Sequence, residues 1–114
     1  MYGISASFPH HKLVGLTLVQ VCVGENDLIL NFDEQSRILI TSAVSVSGVV
    51  ERTQDFAKVA PVLFRLLGNK IRRSIAPDPK VLLLQFGGYR VNLYDDSVTY
   101  ESIVVTLPDE EIVI

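Results

Sequence analysis

His10 and His11, Cys22, the carboxylate clusters Asp95-Asp96 and Asp109-Glu110-Glu111, and the diglycine Gly87-Gly88 are the residues of this chain whose types could do chemistry. Adjacent histidines in an extended arm point to opposite sides, so His10 and His11 are poorly placed to share a metal and fit a solvated pair better. Cys22 lies inside an apolar run, which predicts a core thiol rather than a nucleophile. The acidic clusters fall in turn-like segments, where carboxylates serve local hydrogen bonds as readily as acid–base work or cation binding. Gly87-Gly88 has no helix after it to complete a phosphate loop and reads as a hairpin turn. Arg72-Arg73 lacks the interleaved aromatic platforms of a single-strand binder. The residue types therefore name no catalytic group, no metal ligand and no cofactor.

The elements that must position these residues are mostly strands. β-branched and apolar residues at Leu16–Val23, Leu28–Phe32 and Arg37–Thr41, separated by Gly24-Glu25-Asn26-Asp27 and Asp33-Glu34-Gln35-Ser36, predict a three-stranded meander. Ala43–Val50 continues as alternating Val and Ser, a fourth strand, before a loop. Pro61–Gly68 predicts a short helix, with Pro61 at the first helical position, Gly68 at the end and Val62, Leu63, Leu66 and Leu67 on one side. Asp55–Ala60 could be an earlier turn of it, with a break at Ala60 ahead of the proline. Met1–Lys12 is expected to be an arm, with a short strand at Tyr2–Ser5.

After Gly68 the pattern returns. Leu13 and Gly15 match Leu66 and Gly68; Leu18, Cys22, Leu28, Leu30 and Phe32 match Ile71, Ile75, Leu82, Leu84 and Phe86; Ile38 and Ile40 match Val91 and Leu93. This predicts one domain over 1–114 built by internal duplication, with repeat one at about 13–50, a helix at about 55–67 and repeat two at about 68–114. The fold class expected is mainly β (α+β), two antiparallel meanders of three to four strands packed as a sandwich or partly open barrel. Residues shared by both repeats should face the common core, Cys22 and Ile75 among them. The outward set is then Val19, Val21, Val23, Ile29 and Leu39 in repeat one, against Arg72, Ser74, Ala76, Leu83 and Asn92 in repeat two. An apolar stripe of that size predicts cover, by the helix and the arm or by a second copy in a homodimer.

Thr99–Leu107 and Glu111–Ile114 complete the strands. Leu66-Leu67-Gly68, Tyr100-Glu101-Ser102 and the tail Leu-Pro-Asp-Glu-Glu-Ile-Val-Ile from Leu107 to Ile114 resemble a family of small bacterial proteins of unknown function. The chain departs from that family's tail by carrying Asp109 and Glu110 where the family has glycines, and it has no tryptophan. The resemblance implies no activity and assigns no residue a role.

Composition sets further bounds. With 114 residues, 48% hydrophobic and 20% charged, the chain can bury a core without staples. Its one cysteine points to a reducing compartment and a cytoplasmic protein, and Met1–Lys12 does not resemble a secretory signal. A net charge of −3 and no apolar run near bilayer length argue against nucleic acid and membrane as main partners. Lys58, Arg65, Lys70, Arg72, Arg73, Lys80 and Arg90 cluster before Val91, and only acids follow it. Such an asymmetry makes either a basic patch that recruits a partner or local neutralisation between neighbouring strands, and a meander favours the second.

The reading with most support is a non-enzymatic, self-associating interaction module with a protein partner; an antitoxin-like immunity protein would be one version, by analogy alone. A small-molecule binder using Tyr89, Tyr94 or Tyr100 inside a partly closed sheet is the alternative. An enzyme would need Asp33, Asp95 or Glu101 brought next to His10.

Overall fold

A computed structural model describes residues 3–96 and 102–114. Within them the chain runs α1 (His10–Leu13), β1 (Leu18–Val23), β2 (Leu28–Phe32), β3 (Arg37–Ile40), β4 (Ala43–Val46), β5 (Val50–Thr53), α2 (Phe56–Arg65), β6 (Ile71–Asp78), β7 (Val81–Phe86), β8 (Tyr89–Tyr94), β9 (Ile103–Thr106) and β10 (Glu111–Val113). The fold is mainly β, two antiparallel five-stranded sheets ordered β1-β2-β3-β9-β10 and β5-β4-β8-β7-β6. They enclose one core and do not close into a barrel, which makes a sandwich.

The two sheet orders correspond strand for strand. Each half of the chain builds a three-stranded meander and then sends its last hairpin into the other half's sheet: β4–β5 extends β8, and β9–β10 extends β3. Between the two sheets, one isolated bridge joins Thr17 and Lys70 among the described residues. Around it the hydrogen bonds are reciprocal. Gly15 N–H donates to Ile71 O at 2.8 Å and Gly68 N–H to Leu18 O at 2.8 Å; Leu18 N–H donates to Asn69 O at 3.0 Å and Ile71 N–H to Leu16 O at 2.9 Å. Gly15 and Gly68 both hold positive φ, 95° and 86°, the conformation that lets each N–H turn across to the opposite strand. A local two-fold axis therefore passes near Thr17 and Lys70. Phe32 and Phe86, equivalent across it, stack at 6.3 Å with planes 6° apart.

Helix α2 begins earlier than Pro61. Asp55 is its N-cap, the carboxylate accepting from Ala57 N–H at 3.2 Å, and Pro61 sits inside the helix without breaking it. Burial of Phe56, Val59, Val62 and Leu63 along one face offsets the cost of the interior proline, about 3 kcal/mol. The helix packs against β1, β4 and β5 and places that face in the common core. It closes a gap between the sheets instead of covering an outer face. The expected arm contains the one-turn helix α1 against β6, and Ile4 N–H bonds Pro79 O at 2.6 Å. Lys12 ties α1 to the β9–β10 turn through Asp109 at 3.0 Å and Glu110 at 2.5 Å. The single strand expected over Ala43–Val50 ends at Val46, and Val50 begins strand β5, which takes in Glu51–Thr53, expected as loop, and pairs with β4.

Candidate functional site

The faces of β1 are not those that simple alternation gives. Its pairing with β2 shifts register between Leu18 and Gln20, a bulge that reverses which side chains point inward. Leu18 is fully buried, but beyond the bulge Val21 and Val23 stand opposite the core residues Leu30 and Leu28, on the inner side. Cys22 stands opposite Ile29, on the outer side. Strand β6 carries a bulge at the same place, between Ile71 and Arg73, so Ser74 turns inward and Ile75 outward. The expectation that Cys22 and Ile75 share the interior is thus corrected: both are half-buried on outer faces, and they still occupy equivalent positions.

The five outward residues expected of repeat one, Val19, Val21, Val23, Ile29 and Leu39, divide accordingly. Ile29 and Leu39 are direct cross-strand neighbours on the outer face. Val21 packs against the core, Val23 lies on the inner side at its margin, and Val19 sits in the bulge, exposed beside the end of α2. Two residues that sequence reasoning did not include join the outer row. Leu39 pairs with Val104 and Val104 with Val113, so Cys22, Ile29, Leu39, Val104 and Val113 run across all five strands without a charge. Their membership depends on β9 and β10 crossing into this sheet, which no local pattern announces.

The same row of the other sheet is chemically different. It runs Ile75, Leu83, Asn92 and Ser45, and then reaches the irregular pairing of β5 at Glu51 and Arg52. Its polar groups satisfy one another: Asn92 Nδ2 donates to Ser45 Oγ and Ser47 Oγ, each at 3.0 Å, and Ser45 Oγ shares a 2.9 Å bond with Tyr94 Oη. Arg52 lies over the Tyr94 ring at 4.2 Å and pairs with Asp96. One outer face is therefore finished for water, whereas the other presents apolar side chains.

No protein-family model, curated protein or solved structure matches this chain.

The titratable groups serve structural contacts. His10 Nδ1 and Ser74 Oγ share a 2.8 Å hydrogen bond, with the Phe8 ring 4.7 Å from the imidazole. The equivalent positions in the other half are Leu63 and Val21, an apolar pair. His11 is exposed on α1, so the two histidines belong to a short helix and not to an extended arm. Asp33 Oδ1 accepts from Thr17 N–H at 2.9 Å. Asp95 is buried, accepting from Gly3 N–H at 3.1 Å with Lys80 Nζ 3.5 Å away. Burial pushes the Asp95 carboxyl up, and hydrogen bonding led by the Ser102 hydroxyl together with nearby positive charge, the Lys80 ammonium included, brings it below the ordinary aspartate value. Among the described residues no group of three His, Cys, Asp or Glu side chains could hold a metal ion. Tyr100 and Glu101 lie outside the described residues. The space between the sheets is filled by the core, so Tyr94 bonds on an outer face and not inside a ligand cavity.

The His10–Ser74 pair carries a testable consequence. Burial holds the His10 pKa below its ordinary 6.5, so the folded protein takes up fewer protons there than the unfolded chain. The contribution of neutral His10 is present above the ordinary value and is lost as pH falls through the lowered one. His10→Ala should cost about 1–2 kcal/mol by stranding the buried Ser74 hydroxyl, whereas His10→Leu with Ser74→Val, which copies the other half, should be close to neutral. Urea midpoints at neutral pH and near pH 5 check both, and the double variant should show the flatter pH dependence.

Local charge neutralisation is the smaller part of the basic stretch. Among the described residues Lys80 pairs with Asp95, but Lys58, Arg65, Lys70, Arg72, Arg73 and Arg90 are exposed and form no ion pair. Of the other acids after Val91, Asp109 and Glu110 pair with Lys12 and Asp96 pairs with Arg52, and both of these bases precede that stretch.

Proposed function

We propose that this protein is a non-enzymatic interaction module, arisen by duplication of one unit, that self-associates through the outer face of β1-β2-β3-β9-β10. The observation that carries the reading is the contrast between equivalent rows, Leu39 and Val104 on one sheet against Asn92 and Ser45 on the other. A common scaffold tolerates polar groups at these positions, so folding alone does not require the apolar ones. An uncharged row can meet its own copy across a two-fold axis without setting like charges against each other. No helix of the described residues is long and apolar enough to cross a membrane, and His10, Asp33 and Asp95 are held in separate structural contacts, which favours binding over catalysis.

The experiment exchanges the two characters. Leu39→Asn with Val104→Ser installs the residues that the second sheet already carries at those places, so the fold should persist. Sedimentation equilibrium at tens of micromolar should show a dimer for the wild type and a monomer for the double variant. A wild-type monomer at that concentration, or a variant that remains dimeric with unchanged affinity, would sink the proposal.

A further inference from the structure

The two-fold correspondence exposes a second asymmetry, at the ends of the helices. Phe64 and Leu67 lie one turn apart at the end of α2, 49% and 43% exposed, and Val19, 54% exposed, follows Leu18 in the β1 bulge. Leu67 and Val19 flank the same backbone contact, the 2.8 Å bond from Gly68 N–H to Leu18 O, so the three side chains border one patch. At the equivalent end of α1 stand His11, Val14 and Arg72. The scaffold accepts a mixed surface there, and the cluster of three large apolar groups in water belongs to one half only.

The setting of this patch is cationic. Lys58 and Arg65 share the exposed side of α2 with Phe64, Lys70 follows two residues after Gly68, and none of the three has an acidic partner among the described residues. A second copy docking through this patch would bring these ammonium and guanidinium groups together, which opposes self-association there. A nucleic acid would meet the charges but offers little to Leu67 and Val19, and a single phenyl ring is not a stacking platform. We infer that the exposed end of α2, with Val19, is a docking surface for a second protein, which contributes an acidic segment bearing apolar anchor residues. Carboxylates would meet Lys58, Arg65 and Lys70, while the anchors cover Phe64, Leu67 and Val19. This surface is separate from the uncharged row on the first sheet, so a monomeric protein would retain it.

The test uses the full chain and a fluorescent, Glu-rich amphipathic peptide of about 18 residues with Leu and Trp at helical spacing, read by anisotropy. Saturable binding that weakens with added salt is expected. Phe64→Asp and Arg65→Glu should each weaken it by at least about tenfold, with melting temperatures within about 2 °C of wild type because both sites are exposed. His11→Asp, at the equivalent position on α1, should leave binding unchanged, as should Leu39→Asn with Val104→Ser. The inference is overturned if no saturable binding occurs, or if His11→Asp weakens it as much as Phe64→Asp. Tighter binding to a DNA duplex or to phosphatidylserine vesicles than to the peptide would equally overturn it, as would a change in molar mass on Phe64→Asp, which would assign the patch to a second copy.

Discussion

Phe86→Ala is expected to cost about 3–5 kcal/mol. Phe86 is 1% exposed, and its ring lies against that of Phe32, its equivalent across the two-fold axis, at 6.3 Å. Truncation removes the buried ring and also the face on which Phe32 rests, so the cavity opens at the centre of both halves and neither can collapse into it alone. Typical domain stability is about 5–15 kcal/mol, so the variant should be marginal at room temperature. Urea unfolding followed by circular dichroism measures it, and Phe32→Ala should behave in kind. A loss below about 1 kcal/mol would mean that the stack is not the centre of the core.

Leu63→Ala is expected to follow, at about 2–5 kcal/mol. Leu63 is fully buried on α2, the helix that fills the gap between β1 and the β4–β5 hairpin. Truncation removes a fully buried side chain from the face that α2 turns into the common core, where it packs with Phe56, Val59 and Val62 between the two sheets. His10 at the equivalent position on α1 should be worth less, because there a hydrogen bond replaces apolar burial. Urea midpoints of Leu63→Ala and His10→Ala, compared directly, rank the two closures. Equal losses would contradict the asymmetry assigned to them.

Most of the strands were legible because alternation of apolar residues and turn-type clusters are local signals. The matched pairs from Leu18 and Ile71 through Phe32 and Phe86 to Ile40 and Leu93 occupy corresponding places in the two sheets. The side each strand presents was less legible, because one extra residue at Val19–Gln20 and another near Arg72 reverse the alternation, and neither leaves a mark in composition. Pro61 was misleading for a different reason: the Asp55 cap and four buried side chains hold the helix through it. Helix α1 is a single turn, too short for any periodicity. Gly48 turns the chain back so that Val50–Thr53 pairs with β4, yet the Val-Ser alternation hid that turn within one continuous strand. The exchange of the last hairpins between sheets is a non-local event. It also decides the composition of the candidate surface, which is why Val104 and Val113 could not be foreseen beside Ile29 and Leu39.

Cys22, the only cysteine in the chain and half-buried at one end of the uncharged row, offers the most direct measurement of whether that face is covered. The rate of its modification by a thiol reagent should be followed through a dilution series of the unmodified protein, from tens of micromolar to tens of nanomolar. Coverage by a second copy predicts slow modification at the upper end and a rise to a plateau on dilution, with Leu39→Asn/Val104→Ser at the plateau throughout. A rate that stays constant across the whole range, and equal in the variant, would contradict it.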